Sequence, residues 1–198
     1  MINPVAFYDT MVLADRIGQR IGSVVGPEIH LFSYLACLLA VYRGWPPADW
    51  GYRFACTENG APYSHDIQDA IEELLSLGHI SIAGDAMILT PEGQELETFL
   101  SSLETQRRRL PYLEGACSSL LGMSVGIVRY AVSAEPTIKR ALALNRNQLL
   151  LDDIGQQFVY EEFDKITAAI GTDTPDLIVP AVIWLTALAK SSRTSEAV

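Results

Sequence analysis

Residues 64–93, SHDIQDAIEELLSLGHISIAGDAMILTPEG, carry the strongest local structure signals in the chain. Apolar residues recur at helical spacing over residues 65–77, and Gly78 ends the pattern. Ser64 precedes this helix at the position where a serine hydroxyl commonly caps the first turn. The segment therefore predicts an amphipathic helix with four acidic residues on its polar side, namely Asp66, Asp69, Glu72 and Glu73.

The residues that follow this helix have the pattern of a β-hairpin. Two short apolar runs flank residues 83–86, which include the turn-forming Gly84 and Asp85. Thr90 and Pro91 then open another helix, because a cap residue followed by proline is typical of a helix start. The stretch is thus predicted to form helix, hairpin and helix in that order.

Helical patterns also flank this stretch on both sides. Residues 4–22 and 28–43 precede it, with a short helix near residues 47–52, and this order of elements is that of a winged helix-turn-helix whose hairpin is the wing. We predict a mainly α protein in which the winged helix-turn-helix, with its short two-stranded β-wing, is followed by a C-terminal helical bundle. The predicted divisions are an N-terminal helix (1–27), a winged-helix domain (28–106), a C-terminal helical region (107–190) and a flexible tail (191–198).

Length and composition narrow the classes of protein. The chain has 198 residues, of which 49 % are hydrophobic, and it has three cysteines, Cys37, Cys56 and Cys117. Their odd number and wide spacing fit neither a disulfide framework nor a metal knuckle. Cys37 and Cys117 lie in apolar helical runs and are expected to be buried thiols. The best candidate for a membrane segment, residues 177–189, contains Pro180 and is shorter than the ~20 residues that cross a bilayer. No basic segment precedes the first apolar residues, so we expect a cytoplasmic protein without a membrane segment.

Charge is divided unevenly along the sequence. The net charge is −10, and residues 54–106 contain ten acidic residues but no Lys or Arg. The next segments carry the candidate contacts for nucleic acid or for an acidic partner, which are Arg107, Arg108, Arg109, Lys139, Arg140 and Arg146. An alternative is that these cations balance the acidic segment within the chain or in a homodimer.

The predicted recognition helix, residues 65–77, has the wrong charge for DNA. Duplex binding depends on Lys and Arg contacts with phosphates, whereas this helix presents four carboxylates and the wing adds Asp85. An acidic surface instead attracts a basic protein and accelerates its association. A second interpretation is a solvated face that keeps a rather apolar chain in solution.

Motifs for catalysis are missing from the sequence. It has no dinucleotide-binding glycine motif, no phosphate-binding loop and no nucleophile elbow. His65 and Asp69 share a helix face and could ligate a metal, but no second histidine-containing element completes such a site. We therefore predict a protein that is not an enzyme and that has no cofactor and no metal.

Several short motifs carry a resemblance to a known family. They are WGYRF at residues 50–54, GAPYS at 60–64, an I-x-I strand at 80–82 and LTPEG at 89–93. Together with the helical second half they resemble the middle component of bacterial ABC-three-component systems, which include the Lamassu-type anti-phage defences. The resemblance is clearest over residues 28–100, and Ala61, inserted between Gly60 and Pro62, departs from the family pattern.

The resemblance implies a non-catalytic accessory subunit that accompanies an SMC/Rad50-like ATPase and a separate effector in antiviral defence. It would make the acidic helix and the aromatic residues Trp45, Trp50 and Tyr52 the candidate docking surfaces, since aromatic residues are frequent anchors at interfaces. Two other functions stay open at this point. One is a transcriptional regulator that contacts DNA through the basic second half or as a dimer, and the other is an antitoxin-like module that neutralises a basic toxin.

Overall fold

The computed structural model describes residues 2–144, 148–171 and 176–196, with side chains described as far as residue 191. Within these ranges the chain is mainly helical, as predicted. The α-helices are α1 (Pro4–Ile21), α2 (Gly26–Tyr42), α3 (His65–Ser76), α4 (Pro91–Ser101), α5 (Glu104–Arg107), α6 (Leu110–Ser118), α7 (Val125–Ser133), α8 (Pro136–Ala143), α9 (Asp153–Ile170) and α10 (Ile178–Glu196). The strands are β1 (Ala55–Cys56), β2 (Pro62–Tyr63), β3 (Ile80–Ala83) and β4 (Ala86–Leu89).

Helices α1 and α3 both pack against α2. Every residue from 29 to 41 is buried, because this helix is apolar on all sides and is enclosed by its neighbours. Helix α1 lies against α2, α3 and β4, and a short 3-10 helix over Pro47–Trp50 packs against α2. The predicted short helix near residues 47–52 is thus confirmed.

The β3–β4 hairpin is confirmed with the predicted turn. Ile80 pairs with Leu89 and Ala83 with Ala86, so Gly84 and Asp85 form a two-residue turn. The outer side of β4 is also paired, because the amide of Met87 donates to the carbonyl of Val24 at 2.7 Å. The segment between α1 and α2 therefore joins this sheet. The second small sheet, β1 with β2, was not predicted.

The two helix caps proposed around the hairpin have different outcomes. Thr90 caps α4 as predicted, since its hydroxyl accepts the amide of Gly93 at 3.1 Å. A side chain at Gly93 would place its Cβ 2.2 Å from the His79 carbonyl oxygen, which explains the glycine. The predicted cap by Ser64 is wrong, because its hydroxyl makes no hydrogen bond to α3 and its amide donates instead to His30 Nδ1 at 3.2 Å.

The second half of the chain packs onto the same core. Helix α6 lies against α1 and α2, and α9 lies against α2. The chain after α8 also pairs with β1, because the amide of Leu150 donates to the Phe54 carbonyl at 2.9 Å and Cys56 donates to Gln148 at 3.1 Å. Buried side chains from α1 to α10 form one hydrophobic cluster.

The last helix is longer than expected. We predicted a flexible tail over residues 191–198. Helix α10 continues to Glu196, and residues 197–198 lie outside the described residues. Among the described residues, no single helix is both long and apolar enough to cross a membrane. One bent pair, Glu104–Leu121 with Val125–Ser133 at 114°, is long and apolar enough only when the two segments are taken together.

Candidate partner-binding surface

Helix α3 divides into a buried side and an outward stripe. Its buried residues recur at helical spacing and are Ile67, Ala70, Ile71 and Leu74. The exposed residues are His65, Asp69, Glu72 and Ser76, which are three or four residues apart and therefore lie on one face. We refer to these four exposed residues as the outward stripe. It presents two carboxylates to solvent.

The other two predicted acids flank this stripe. Asp66 is half-buried and accepts a hydrogen bond from Asn3 Nδ2 at 3.0 Å, while the Asn3 Oδ1 atom accepts the amide of Val5 at the start of α1. Asp66 thus helps to join α3 to α1. Glu73 is also half-buried. Asp69 and Glu72 are the carboxylates best placed for an external contact.

The hairpin and α4, which follow α3 in the chain, carry further exposed acids. Asp85 at the hairpin turn is exposed, as are Glu92 and Glu95 on α4. Neither these three residues nor Asp69 and Glu72 form an ion pair within the part of the chain that the structure describes. These acids therefore remain available to a partner that brings cations.

The predicted aromatic docking surface is corrected by the structure. Trp50 is 1 % exposed and Tyr52 is 5 % exposed, so neither presents its ring to a partner. The Tyr52 hydroxyl donates to Asp9 Oδ2 at 2.6 Å and shares a 2.7 Å hydrogen bond with Ser33. Trp45 is half-buried, with its ring edge-on to Trp50 at 6.0 Å. These residues close the core beneath their loop.

Arg109 was predicted as a nucleic-acid contact, and this is wrong because the side chain is buried. Its Nε donates to Asp9 Oδ1 at 2.9 Å, and Nη2 forms an ion pair with the other oxygen of the same carboxylate. Nη1 donates to the Trp50 carbonyl at 2.7 Å, and the guanidinium lies 3.7 Å from the Trp50 ring centroid. The pKa of Arg109 is raised, because the attraction and hydrogen bonds of Asp9 outweigh the opposing effect of burial.

The remaining predicted cations are dispersed. Arg140 is half-buried and holds Asp152 through hydrogen bonds of 2.8 and 3.1 Å, which lower the pKa of that carboxyl. Arg107, Arg108 and Lys139 are exposed, and Arg108 lies 4.0 Å from Glu104. Arg146 lies outside the described residues. Among the described residues, three of the predicted cations are therefore exposed. Arg107 and Arg108 lie at the end of α5, and Lys139 lies on α8.

Cys37 and Cys117 are buried as predicted, and Cys56 is buried as well. Burial is the main cause of a raised pKa at each, to about 12 for Cys117 and beyond the ordinary range for Cys37, so both remain thiols at neutral pH. Among the residues that the structure describes, no group of three or more His, Cys, Asp and Glu side chains is arranged to hold a metal ion.

The contacts that connect distant segments were not predicted from the sequence. Asp9 and Arg109 are 100 residues apart, and Asn3 and Asp66 are 63 apart, so local spacing carries no signal for either contact.

Comparison with protein-family models, with curated proteins and with solved structures finds no match to this chain.

Proposed function

We propose that this protein is a non-catalytic subunit that binds a basic protein partner through the outward stripe of α3. The observation that carries the proposal is that Asp69 and Glu72 are exposed on one face, without an ion pair to any described residue, in a segment of the sequence free of Lys and Arg. Such a surface attracts cationic side chains and raises the rate of encounter.

A winged helix-turn-helix is the fold we infer for α1 to α4. Three helices followed by the β3–β4 hairpin support it, and the pairing of Val24 with Met87 supplies a third strand position between α1 and α2. In this proposal α1 is the first helix of the winged-helix domain. That domain therefore begins at the start of α1 and not at residue 28. Helix α3 then occupies the place of the recognition helix.

The charge of α3 argues against DNA as the ligand of that helix. A recognition helix lies among phosphates, and Asp69 and Glu72 would be repelled there. A regulator would have to bind DNA elsewhere, through the exposed Arg107, Arg108 and Lys139 or as a dimer. The burial of Arg109 and the engagement of Arg140 by Asp152 leave less support for that alternative.

The sequence resemblance supplies the class of partner. It favours an SMC/Rad50-like ATPase together with an effector in a bacterial anti-phage defence complex. The antitoxin-like alternative would bind a single small basic protein through the same surface.

The test is purification of the tagged full-length protein from the organism that encodes it, at moderate salt, followed by mass spectrometry. Stoichiometric recovery of a long coiled-coil ATPase is the expected result. Recovery of one small basic protein would replace the accessory-subunit proposal with the antitoxin. A gel-shift titration against salt completes the test, because specific duplex binding at sub-micromolar concentration with a steep salt dependence would favour the regulator.

A further inference from the structure

An open groove of about 990 Å³ lies beside the acidic helix. Its walls come from the start of α2, the loop between β1 and β2, α3 and α7. The lining is mainly apolar and aromatic, and the residues used below are His30, Tyr63, Gln68, Gly126 and Arg129. A concave, largely apolar surface with a few polar groups at its edge is the usual form of a site that receives an anchor side chain.

One edge of the groove is continuous with the outward stripe of α3. Gln68 lines the groove and donates to Glu72 Oε1 at 2.8 Å. The pKa of Tyr63, another lining residue, is raised by partial burial and further by the negative charges of Asp69 and Glu72. Both carboxylates therefore lie near this edge of the groove.

The opposite edge has little free positive charge. Arg129, on α7, is exposed but lies 3.8 Å from Glu28, which also accepts the amide of Val25 at the start of α2. His30, a buried lining residue, has a pKa of about 4 because burial disfavours its charged form, so it is neutral at physiological pH. The groove thus combines a mainly apolar lining with a predominantly acidic edge.

We propose that this groove receives a segment of the basic protein partner in which an apolar anchor residue is flanked by Lys or Arg. The anchor fills the space between α2, α7 and the β1–β2 loop, and the flanking cations reach Asp69 and Glu72. This inference rests on the proposed function and specifies how the partner docks. A second copy of the chain does not fit the charge, since two acidic edges carried by molecules of net charge −10 would repel each other.

Gly126 is a lining residue at which a larger side chain can be introduced. A Cβ at this position would meet only Ser124 Oγ, at 3.9 Å, so the backbone has room for a side chain and Gly126→Leu adds bulk at the wall of the groove. Gly18 on α1 is the matched control, because a Cβ there has nothing within 4 Å and the residue does not line this groove. Both changes replace a helical glycine with a better helix former.

The experiment titrates the ¹⁵N-labelled full chain with a synthetic peptide in which a leucine–tryptophan pair is flanked on each side by two lysines. We expect amide shifts at the β1–β2 loop, the start of α2 and α7. Binding should weaken at least tenfold in Gly126→Leu and be unchanged in Gly18→Leu. It should weaken similarly when the lysines are replaced by glutamates or the leucine–tryptophan pair by glycine and serine.

Three results would overturn the groove assignment. They are no shift at millimolar peptide, shifts confined to the outward stripe of α3, and equal binding by Gly126→Leu and the unaltered chain. Concentration-dependent shifts of the groove amides without peptide would identify a second copy as the occupant and would also contradict the proposal. The proposed function fails separately, if the native partner is still captured after Asp69 and Glu72 are replaced by lysine.

Discussion

Among single residues, Arg109 shows that a charged side chain, once buried, can stabilise the fold instead of binding a ligand. It follows two other arginines in a stretch typical of a basic surface, yet it neutralises Asp9, which is 0 % exposed. A buried carboxylate without its partner is strongly unfavourable, whereas the intact pair with its extra hydrogen bonds is tolerated. The pair therefore connects α1 to the segment before α6 instead of meeting a ligand.

Replacing Arg109 should destabilise the protein. Arg109→Met leaves the Asp9 carboxylate buried and unpaired, and we expect a loss of about 3–5 kcal/mol in the free energy of unfolding, measured by urea denaturation. Asp9→Asn combined with Arg109→Met should be less destabilised than the sum of the two single changes, because the unpaired charges are removed together. A loss below about 1 kcal/mol in Arg109→Met would contradict this role.

His30 should make stability depend on pH. Its folded-state pKa is about 4, lowered by burial from an ordinary value near 6.5, and its Nδ1 accepts the amide of Ser64. Between these values the unfolded chain binds a proton that the folded chain does not, so the free energy of unfolding falls as pH falls. The full effect of acidification through this window is about 3 kcal/mol.

The control for this prediction is His30→Asn, which keeps an acceptor for the Ser64 amide but does not titrate. Urea denaturation at several pH values should show a steeper loss of stability between pH 6.5 and 4 in the unaltered chain than in the variant. Parallel curves would show that His30 does not contribute to the pH dependence.

At the scale of elements, the close approach of α6 to α10 depends on a glycine. A Cβ at Gly115 would lie 2.7 Å from the Leu177 Cβ, just before α10, and 3.4 Å from Leu39 Cδ1 on α2. Gly115→Ala should therefore lower the free energy of unfolding by about 1–3 kcal/mol through overpacking. Gly18→Ala, which enters open space on α1, should raise it by up to about 1 kcal/mol. Equal thermal midpoints for the two variants would refute this account of the packing.

Local elements were predictable because their signals are short-range. The periodicity and the stop at Gly78 located α3 to within one residue at its end, and the turn at Gly84 and Asp85 located the hairpin. The cap by Thr90 followed from the same kind of signal. Such features depend on neighbours within one or two turns of the chain.

Features of the candidate site that depend on tertiary contacts were not predictable. Trp50 and Tyr52 lie in a stretch whose composition is typical of an exposed loop, but both are buried. Tyr52 donates a hydrogen bond to Asp9, and the Trp50 carbonyl accepts one from Arg109. The groove is formed only when the β1–β2 loop, α2 and α7 come together, and no spacing in the sequence marks Gly126 as part of it. The acidity of α3 was evident from the sequence, but the division between the exposed Asp69 and the engaged Asp66 required the structure.

At the scale of the whole molecule, the acidic segment and the helical second half share one core. Helix α6 lies against α1 and α2, and Arg109 reaches Asp9 on α1. We therefore expect a fragment that ends at residue 106 not to fold, because it exposes the apolar sides of α1 and α2 and leaves Asp9 unpaired. The measurement is far-UV circular dichroism with an amide NMR spectrum, and a cooperatively folded fragment would contradict a shared core.

We expect α3 to bind a basic partner through Asp69 and Glu72. The most direct test compares recovery of the co-purified partner by the unaltered chain, by Asp69→Lys with Glu72→Lys, and by Glu161→Lys with Asp164→Lys. The last pair makes the same change of charge at exposed positions on α9. We expect a loss of about tenfold or more for the α3 pair and none for the α9 pair. Equal recovery by all three proteins would contradict it.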